Sequence, residues 1–215
     1  VEVDGGRITS VGDATGTAAT AEVDATGRVL APGFVDVHTH DDGALVQHPG
    51  MEFKVSQGCT SVVVGNCGFS AIPAVPGDRT LDLSGVTAEW SDLDGYRSVV
   101  EGVGTAVNSM MLVGHNTVRR LVLGGERRAP NSDELDLMRA HVRVAMEQGA
   151  CGFSSGLIYR PGKWAETDEV TELAREAAPF SGIYATHMRN ENDRLLDAVD
   201  EALTIGADAG VAVQI

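Results

Sequence analysis

The stretch Ala31-Pro32-Gly33-Phe34-Val35-Asp36-Val37-His38-Thr39-His40 decides the fold and gives the first indication of chemistry. An apolar run follows a Pro-Gly turn and ends in two histidines spaced i, i+2. On a β-strand this spacing directs both imidazoles to one face, roughly 6.6–6.8 Å apart along the backbone. Two neutral imidazoles at the end of a buried strand can bind a divalent metal. The pattern therefore favours a metal site over the alternative of two incidental histidines.

Downstream of this stretch, β-type segments alternate with helical patterns. Strands alternating with helices of about 10–15 residues imply parallel strands joined by helical crossovers. No GxGxxG turn is present, so the pattern favours an incomplete (β/α)8 TIM-type barrel of the α/β class over a doubly wound sheet. Five units and a sixth strand are predicted, with strands at 34–38, 61–65, 106–113, 151–154, 183–186 and 211–215. Helices are predicted at 50–57, 94–103, 133–148, 166–178 and 193–205, with Ser132 as the N-cap of the third.

The segment before the barrel has a different pattern. Short β-type pieces at 2–4 and 7–11 flank Gly5-Gly6, which is typical of a hairpin turn, and a second pair at 22–24 and 28–30 flanks 25–27. We predict part of a small β-sandwich at 1–31, followed by the barrel domain at 32–215. The chain opens on a strand-like segment and stops within an apolar run, so we expect a fragment of a longer protein that is inactive on its own.

Composition excludes several classes of partner. The 215 residues carry 31 acidic and 16 basic side chains, a net charge of −15, without a basic cluster. A phosphate backbone would meet a field of the wrong sign, so no nucleic-acid partner is expected. No apolar run approaches the ~20 residues of a membrane helix, so no membrane partner is expected either. Three cysteines cannot all pair with one another, which favours intracellular thiols and a cytoplasmic location. A polar insert at 73–93 is predicted to form a loop or a lid.

Chemistry in such barrels lies at the carboxyl ends of the strands. Strand one ends in His38 and His40, strand two is followed by Cys67, and strand five ends in His187. These four side chains are the candidate metal ligands. The other two cysteines, at positions 59 and 151, lie at strand starts and are predicted to be core residues.

Three further strand-end residues are candidates for substrate contact. His115 follows strand three and either lines the pocket or caps the next helix. Tyr159 lies in the pocket wall after strand four. Arg189 either holds a carboxylate in bidentate fashion or forms an ion pair with Glu191. In addition, Asp36 shares strand parity with His38, and it either orients that histidine or is a buried polar group.

Several of these segments resemble a known family. Residues 32–42 (PGFVDVHTHDD) are similar to the strand-one signature of the amidohydrolase superfamily. A narrower resemblance, to its N-acyl-D-amino-acid deacylase (D-aminoacylase) branch, is carried by 65–68 (GNCG), 114–119 (GHNTVR), 155–159 (SGLIY) and 186–191 (THMRNE). The resemblance implies a metal-dependent barrel flanked by a β-sandwich that cleaves the amide bond of N-acyl-D-amino acids, which are small-molecule substrates.

The same resemblance implies the metal arrangement. Dihydroorotase-like relatives carry a carboxylated lysine at the end of strand four, where this chain has serines; the nearest lysine, Lys163, is in a Pro-Gly loop. By this resemblance, Cys67 replaces it as the thiolate bridge or as the principal ligand. Zn²⁺ is expected, with one ion held tightly by Cys67, His187 and a histidine after strand six. His38 and His40 define a second, weaker position. A catalytic aspartate after strand eight, beyond residue 215, is expected to act as the general base.

Two alternatives remain at this point. The first is another amidohydrolase that acts on a cyclic amide or a dipeptide, against which the missing strand-four lysine argues. The second is a non-catalytic binding protein on the same fold. Four candidate ligands at one end of the barrel argue against it, because nothing structural requires them there.

Overall fold

The computed structural model describes residues 1–12, 16, 18–75 and 89–215. The chain divides into two units, Val1–Pro32 and Gly33–Ile215. Most of the insert predicted at 73–93, including any lid, lies outside the described residues. Across the described ranges, none of the helices has the length and apolar character that crossing a bilayer requires.

The first unit contains one antiparallel hairpin. Strands β1 (Glu2–Asp4) and β2 (Arg7–Ser10) pair around Gly5-Gly6, whose φ angles of +55° and +75° suit the tight turn that joins them. The hairpin predicted there is confirmed. The second predicted pair is wrong, because 22–24 and 28–30 are not strands. Instead, Asp24 accepts hydrogen bonds from the backbone and hydroxyl of Thr26 and fixes a local turn.

The second unit is built on a six-stranded parallel sheet. Its strands are hydrogen-bonded in chain order, β3-β4-β5-β6-β7-β8, without the reversal that defines a doubly wound sheet. This order agrees with the predicted barrel. Within the described residues, β3 and β8 each pair with a single neighbour. The strands are β3 (Phe34–Asp36), β4 (Cys59–Val64), β5 (Asn108–Gly114), β6 (Gly152–Gly156), β7 (Ile183–His187) and β8 (Ala212–Gln214).

Helices connect consecutive strands, as the crossovers of a parallel sheet require. The core lies between them and the sheet, where the ring of Phe153 on β6 stacks on Tyr184 of β7 with centroids 6.2 Å apart. Short 3₁₀ turns occupy Asn66–Gly68, Gly162–Trp164 and Ala178–Phe180. The α-helices are α1 (Ala44–Gln47), α2 (Glu52–Val55), α3 (Leu93–Val103), α4 (His115–Leu123), α5 (Ser132–Glu147), α6 (Thr167–Arg175) and α7 (Leu195–Ala209).

Helix α5 has a different N-cap from the predicted one, and helices α1 and α4 have no counterpart in the prediction. The N-cap of α5 is Asn131 rather than Ser132, because Asn131 and Glu134 form a reciprocal capping box. Helix α4 was not predicted at all. It begins directly at the end of β5 with Gly114 as its N-cap, so no capping side chain marks its start in the sequence.

Candidate metal centre

The two histidines of the opening stretch lie just past a barrel strand. Strand β3 ends at Asp36, two residues earlier than predicted, so His38 and His40 belong to the segment that follows it. Thr39 between them is buried, and its N–H donates to the carbonyl of Val63 on the neighbouring strand. Both imidazoles are exposed, with ring centroids 5.7 Å apart. Partial burial and the neighbouring His38 lower the pKa of His40, which favours the neutral, metal-binding form.

Asp36 supports this segment through the backbone of His38, whereas the sequence predicted that it would either orient the histidine itself or be a buried polar group. One of its carboxylate oxygens accepts the backbone N–H of His38 at 3.2 Å, so Asp36 orients the backbone of that residue. The other oxygen accepts from Nζ of Lys54 at 2.6 Å, and the same ammonium lies 3.0 Å from Asp41. Lys54 therefore joins the carboxylates on either side of the two histidines. Sequence reasoning missed this lysine, because nothing in its spacing links it to the histidines.

Cys67 lies in a backbone conformation that is rare for residues with a side chain. It is the middle residue of the 3₁₀ turn after β4, with φ 54° and ψ 26°. Two glycines let this turn lie directly against neighbouring strand ends. A Cβ at Gly156 would be 2.1 Å from the carbonyl oxygen of Cys67, and one at Gly114 would be 2.4 Å from that of Gly68. The thiol is thereby held at the carboxyl end of the sheet.

The predicted ligands converge at this edge. The ligand atoms of His38, His40 and Cys67 all lie within 4.8 Å of one another. The sulfur of Cys67 is 3.3 Å from Nε2 of His38 and 3.5 Å from Nδ1 of His187. The structure therefore brings three of the predicted ligands, His38, His40 and Cys67, into one group, and places His187 beside the thiol of that group.

His187, the last residue of β7, has a different partner at each ring nitrogen. Nδ1 faces Cys67 and also lies 3.2 Å from the hydroxyl of Tyr159, whose ring packs edge-on against the imidazole at 4.8 Å. Nε2 lies 3.2 Å from the carboxylate of Glu191, four residues further along the chain. A carboxylate on the far nitrogen is the usual way of fixing the tautomer of a metal-binding histidine.

The donor set suits a zinc ion. Imidazole and thiolate are the ligands that Zn²⁺ prefers, and three or four of them at one point satisfy its tetrahedral coordination. Burial, together with the charge of Glu191, raises the pKa of the Cys67 thiol. Formation of the thiolate is therefore coupled to metal binding. Nitrogen and sulfur donors at the carboxyl ends of parallel strands place this chain in the class of (β/α) barrels with a candidate metal site at the strand ends.

His115 is not part of this cluster. It is the first residue of α4, has no exposed surface, and its Nε2 lies 2.9 Å from Glu169 of α6. Both oxygens of Glu169 also accept from Nη1 of the fully buried Arg119, at 2.6 and 2.5 Å. The structure thus gives no support to the substrate contact predicted for His115. The imidazole belongs to a buried ionic cluster of His115, Arg119 and Glu169.

Arg189 binds a carboxylate in bidentate fashion, but that carboxylate is on Glu201 of α7. Nε and Nη2 of Arg189 lie 2.8 and 2.7 Å from its two oxygens. The guanidinium also donates to the carbonyls of Lys163 and Ala165, which follow β6. The predicted ion pair with Glu191 is therefore wrong, and the substrate contact predicted for Arg189 has no support in these contacts.

Asp42 is a further residue that sequence reasoning missed. Its fully buried carboxylate accepts the N–H of Gly65 at 3.2 Å and that of Ala71 at 2.9 Å, on either side of the Cys67 turn. Burial raises the pKa of Asp42 to about 6. The sequence carries one signal, a second acidic residue directly after the histidine pair, but the bonding partners lie more than twenty positions away.

Comparisons with known proteins identify the family. Residues 21–210 match the amidohydrolase family. The chain is 42% identical over 215 residues to N-acyl-D-glutamate deacylase of Alcaligenes xylosoxydans xylosoxydans, a match that spans 99% of this chain and 44% of that protein. The chain therefore belongs to the amidohydrolase family. It spans less than half the length of this relative.

Solved structures agree on the fold. A D-aminoacylase described as having a binuclear metal centre superposes with a TM-score of 0.89 at 37% identity, over 96% of this chain and 44% of that one. An N-acyl-D-glutamate deacylase from Bordetella bronchiseptica, complexed with zinc and a phosphonate inhibitor, gives 0.82 at 41% identity, over 88% and 40%. These matches confirm the predicted incomplete barrel.

Proposed function

We propose that the full-length protein containing this chain is a zinc-dependent hydrolase that cleaves the amide bond of N-acyl-D-amino acids. The observation that carries the proposal is the position of the Cys67 thiol, 3.3 Å from His38 and 3.5 Å from His187 at the carboxyl end of the sheet. Sequence identity of 42% to an N-acyl-D-glutamate deacylase supports the substrate class.

The ligand assignment keeps the division into two positions that the resemblance to the deacylase branch implies. Cys67 and His187 hold the tighter ion, together with a histidine expected outside this chain, while His38 and His40 form a second, weaker position. When bound, Zn²⁺ acts as a Lewis acid that polarises a carbonyl group and lowers the pKa of water. The lowered pKa of His40 favours the neutral imidazole that binds a metal, whereas the raised pKa of Cys67 means that the thiol proton is lost as the metal binds.

Of the predicted substrate contacts, Tyr159 has the best support. Its side chain is 40% exposed, and its hydroxyl lies 3.2 Å from His187, so it can donate to an acyl or carboxylate oxygen at the site. We assign Arg189 a positioning role instead. Its bonds to Glu201 and to the carbonyls of 163 and 165 fix the segment after β6 that includes Tyr159.

The remaining expectations concern partners and location. We propose a small-molecule substrate, no nucleic-acid or membrane partner, and a cytoplasmic location. A net charge of −15 and three free cysteines support these proposals.

Turnover by the purified full-length protein tests the proposal. We expect release of free D-amino acid from N-acetyl-D-amino acids, little turnover of the L-enantiomers, and loss of activity with a zinc chelator that is reversed by added Zn²⁺. Turnover of hydantoin or dihydroorotate without any deacylation would favour the cyclic-amide alternative. Tight zinc binding without turnover of any amide would favour the non-catalytic alternative.

A further inference from the structure

The turn that carries Cys67 is closed by a side chain from another strand. The N–H of Gly68 donates to the hydroxyl of Ser154 on β6 at 3.0 Å, and the same hydroxyl donates to the carbonyl of Gly65. One buried oxygen therefore spans the turn from the residue two before Cys67 to the residue after it. Ser154 has no exposed surface, so solvent does not compete for these two hydrogen bonds in the folded protein.

The Cys67 backbone needs such support. A non-glycine residue at φ 54° lies in the left-handed region, which costs an L-residue free energy unless the surrounding structure holds it there. Asn116 adds a second, weaker contact, since its Nδ2 lies 3.4 Å from the carbonyl oxygen of Cys67. Only one methylene joins the sulfur to the backbone, so the sulfur follows any movement of the turn. Relaxation of the turn would therefore move the sulfur away from His38 and His187.

We propose that Ser154 is a positioning residue of the metal centre, whose hydroxyl fixes the thiol of Cys67 relative to the imidazoles of His38 and His187. The proposal rests on the proposed function in one respect, namely that Cys67 is a metal ligand. It assigns no contact between Ser154 and substrate or metal.

The chain offers a matched control in the next residue. Ser155 is also fully buried on β6, and its hydroxyl also makes two hydrogen bonds, to Tyr184 at 2.7 Å and to Thr186 at 2.8 Å. Neither of these hydrogen bonds reaches the Cys67 turn. Ser154→Ala and Ser155→Ala therefore remove the same group from the same strand, but only the first should alter the metal centre.

The test measures Zn²⁺ affinity of the full-length protein by competition with a chromophoric chelator, and the thiolate-to-cobalt charge-transfer band after substitution with Co²⁺. We expect Ser154→Ala to weaken Zn²⁺ binding about 10–100-fold, the usual effect of removing a residue that orients a ligand. The band should shift or lose intensity. Ser155→Ala should lower the melting temperature to a similar extent and leave affinity and spectrum unchanged.

Each result decides a different question. Equal affinity loss in both variants, or wild-type affinity and spectrum in Ser154→Ala, would overturn the positioning role. Absence of a charge-transfer band in the wild-type protein would overturn the Cys67 ligand assignment and this inference with it. If Ser154→Ala does not fold, Ser154→Thr, which keeps the hydroxyl, should retain wild-type affinity, and a folded Ser154→Thr with weakened binding would contradict the proposal.

Discussion

Two histidines leave a barrel strand at equivalent points and enter different environments. His187 is the last residue of β7, is partly exposed, and directs one nitrogen at a thiol. His115 follows β5 directly, is fully buried, and directs its Nε2 at Glu169, which also neutralises Arg119. The candidate metal centre thus directs nitrogen and sulfur donors toward one another, whereas the buried ionic cluster pairs its charges internally.

The difference lies in what the neighbouring elements contribute. Helix α6 supplies a carboxylate that reaches His115, and this carboxylate is 5% exposed. The carboxylate near His187 is Glu191, which is exposed and has a hydration shell of its own. A histidine at a strand end can therefore bind a ligand only where no buried side chain of a crossover helix already bonds to its ring nitrogen. Substitutions in the two clusters should separate stability from metal binding.

The largest effect is expected from Glu169→Ala. It leaves the guanidinium of Arg119 buried without its carboxylate, and breaking a buried pair in this way costs about 3–5 kcal/mol. We expect urea unfolding of the full-length protein to show this loss, while Zn²⁺ affinity of the folded protein stays unchanged. Glu172→Ala, on the same helix but half-exposed, is the control and should cost little. Equal costs would show that the buried cluster is not stabilising.

The same carboxylate predicts a pH dependence. Burial raises the pKa of Glu169, but the hydrogen bonds and charges of His115 and Arg119 outweigh it and hold the pKa below its usual value. The stabilisation is then complete above the unfolded-state pKa and is lost as the pH falls through the folded-state pKa. The stability difference between wild type and Glu169→Gln should therefore shrink as the pH falls below the usual glutamate pKa of about 4.3. A difference that grows on acidification would contradict this sign.

Cys67→Ala should have the next largest effect, on metal binding instead of folding. Loss of a direct ligand should exceed the upper limit for orienting residues, so Zn²⁺ affinity should fall by more than about 100-fold, or about 2.8 kcal/mol. Deacylase activity at limiting zinc should fall with it. Cys59→Ala, at the start of the same strand, should leave both unchanged. A loss below tenfold in Cys67→Ala would remove the thiol from the ligand set.

His115→Leu should have a moderate effect confined to stability. Removing the imidazole deprives buried Glu169 of one hydrogen-bond partner but leaves Arg119 in place, a loss of about 1–3 kcal/mol. KM for an N-acyl-D-amino acid should stay at the wild-type value. A raised KM at unchanged stability would instead restore the substrate contact predicted from the sequence.

Glu191→Gln should have the smallest effect. The amide oxygen can still accept a hydrogen bond from His187, and the site is exposed, so we expect Zn²⁺ affinity to fall about tenfold or less. Asp193→Asn, an exposed neighbour, provides the baseline for removing one negative charge. If the two variants weaken binding equally, Glu191 acts through its charge alone.

Most of the strands and helices could be predicted, because they depend on local sequence patterns. The alternation of strands and helices predicted the parallel sheet, and strand ends located His38, Cys67 and His187, because parallel strands bring their carboxyl ends to one edge. Helix α4 was missed, since its first turn has no capping side chain. By contrast, the tight turn at Gly5-Gly6 could be predicted, because its two glycines are specific for that conformation.

The partners of the site residues were much harder to predict. Glu201 binds Arg189 and Glu169 binds His115 because α7 and α6 pack at particular angles, which no short window of sequence encodes. Lys54 is a similar case, eighteen positions from the carboxylate that it binds. His115 and Arg189 each had two plausible roles in the sequence. The choice between them depended on which helix lay opposite.

The left-handed backbone at Cys67 limits how this site can change during evolution. Asparagine and aspartate tolerate that conformation better than other side chains, whereas β-branched residues do not. A single substitution of Cys67 that keeps the turn can therefore introduce an aspartate or asparagine oxygen far more readily than a β-branched apolar side chain. Carboxylate oxygen favours harder ions such as Mn²⁺. Descendants of this sequence that lose the cysteine should thus be enriched in aspartate at this position, with a changed metal preference and an unchanged barrel.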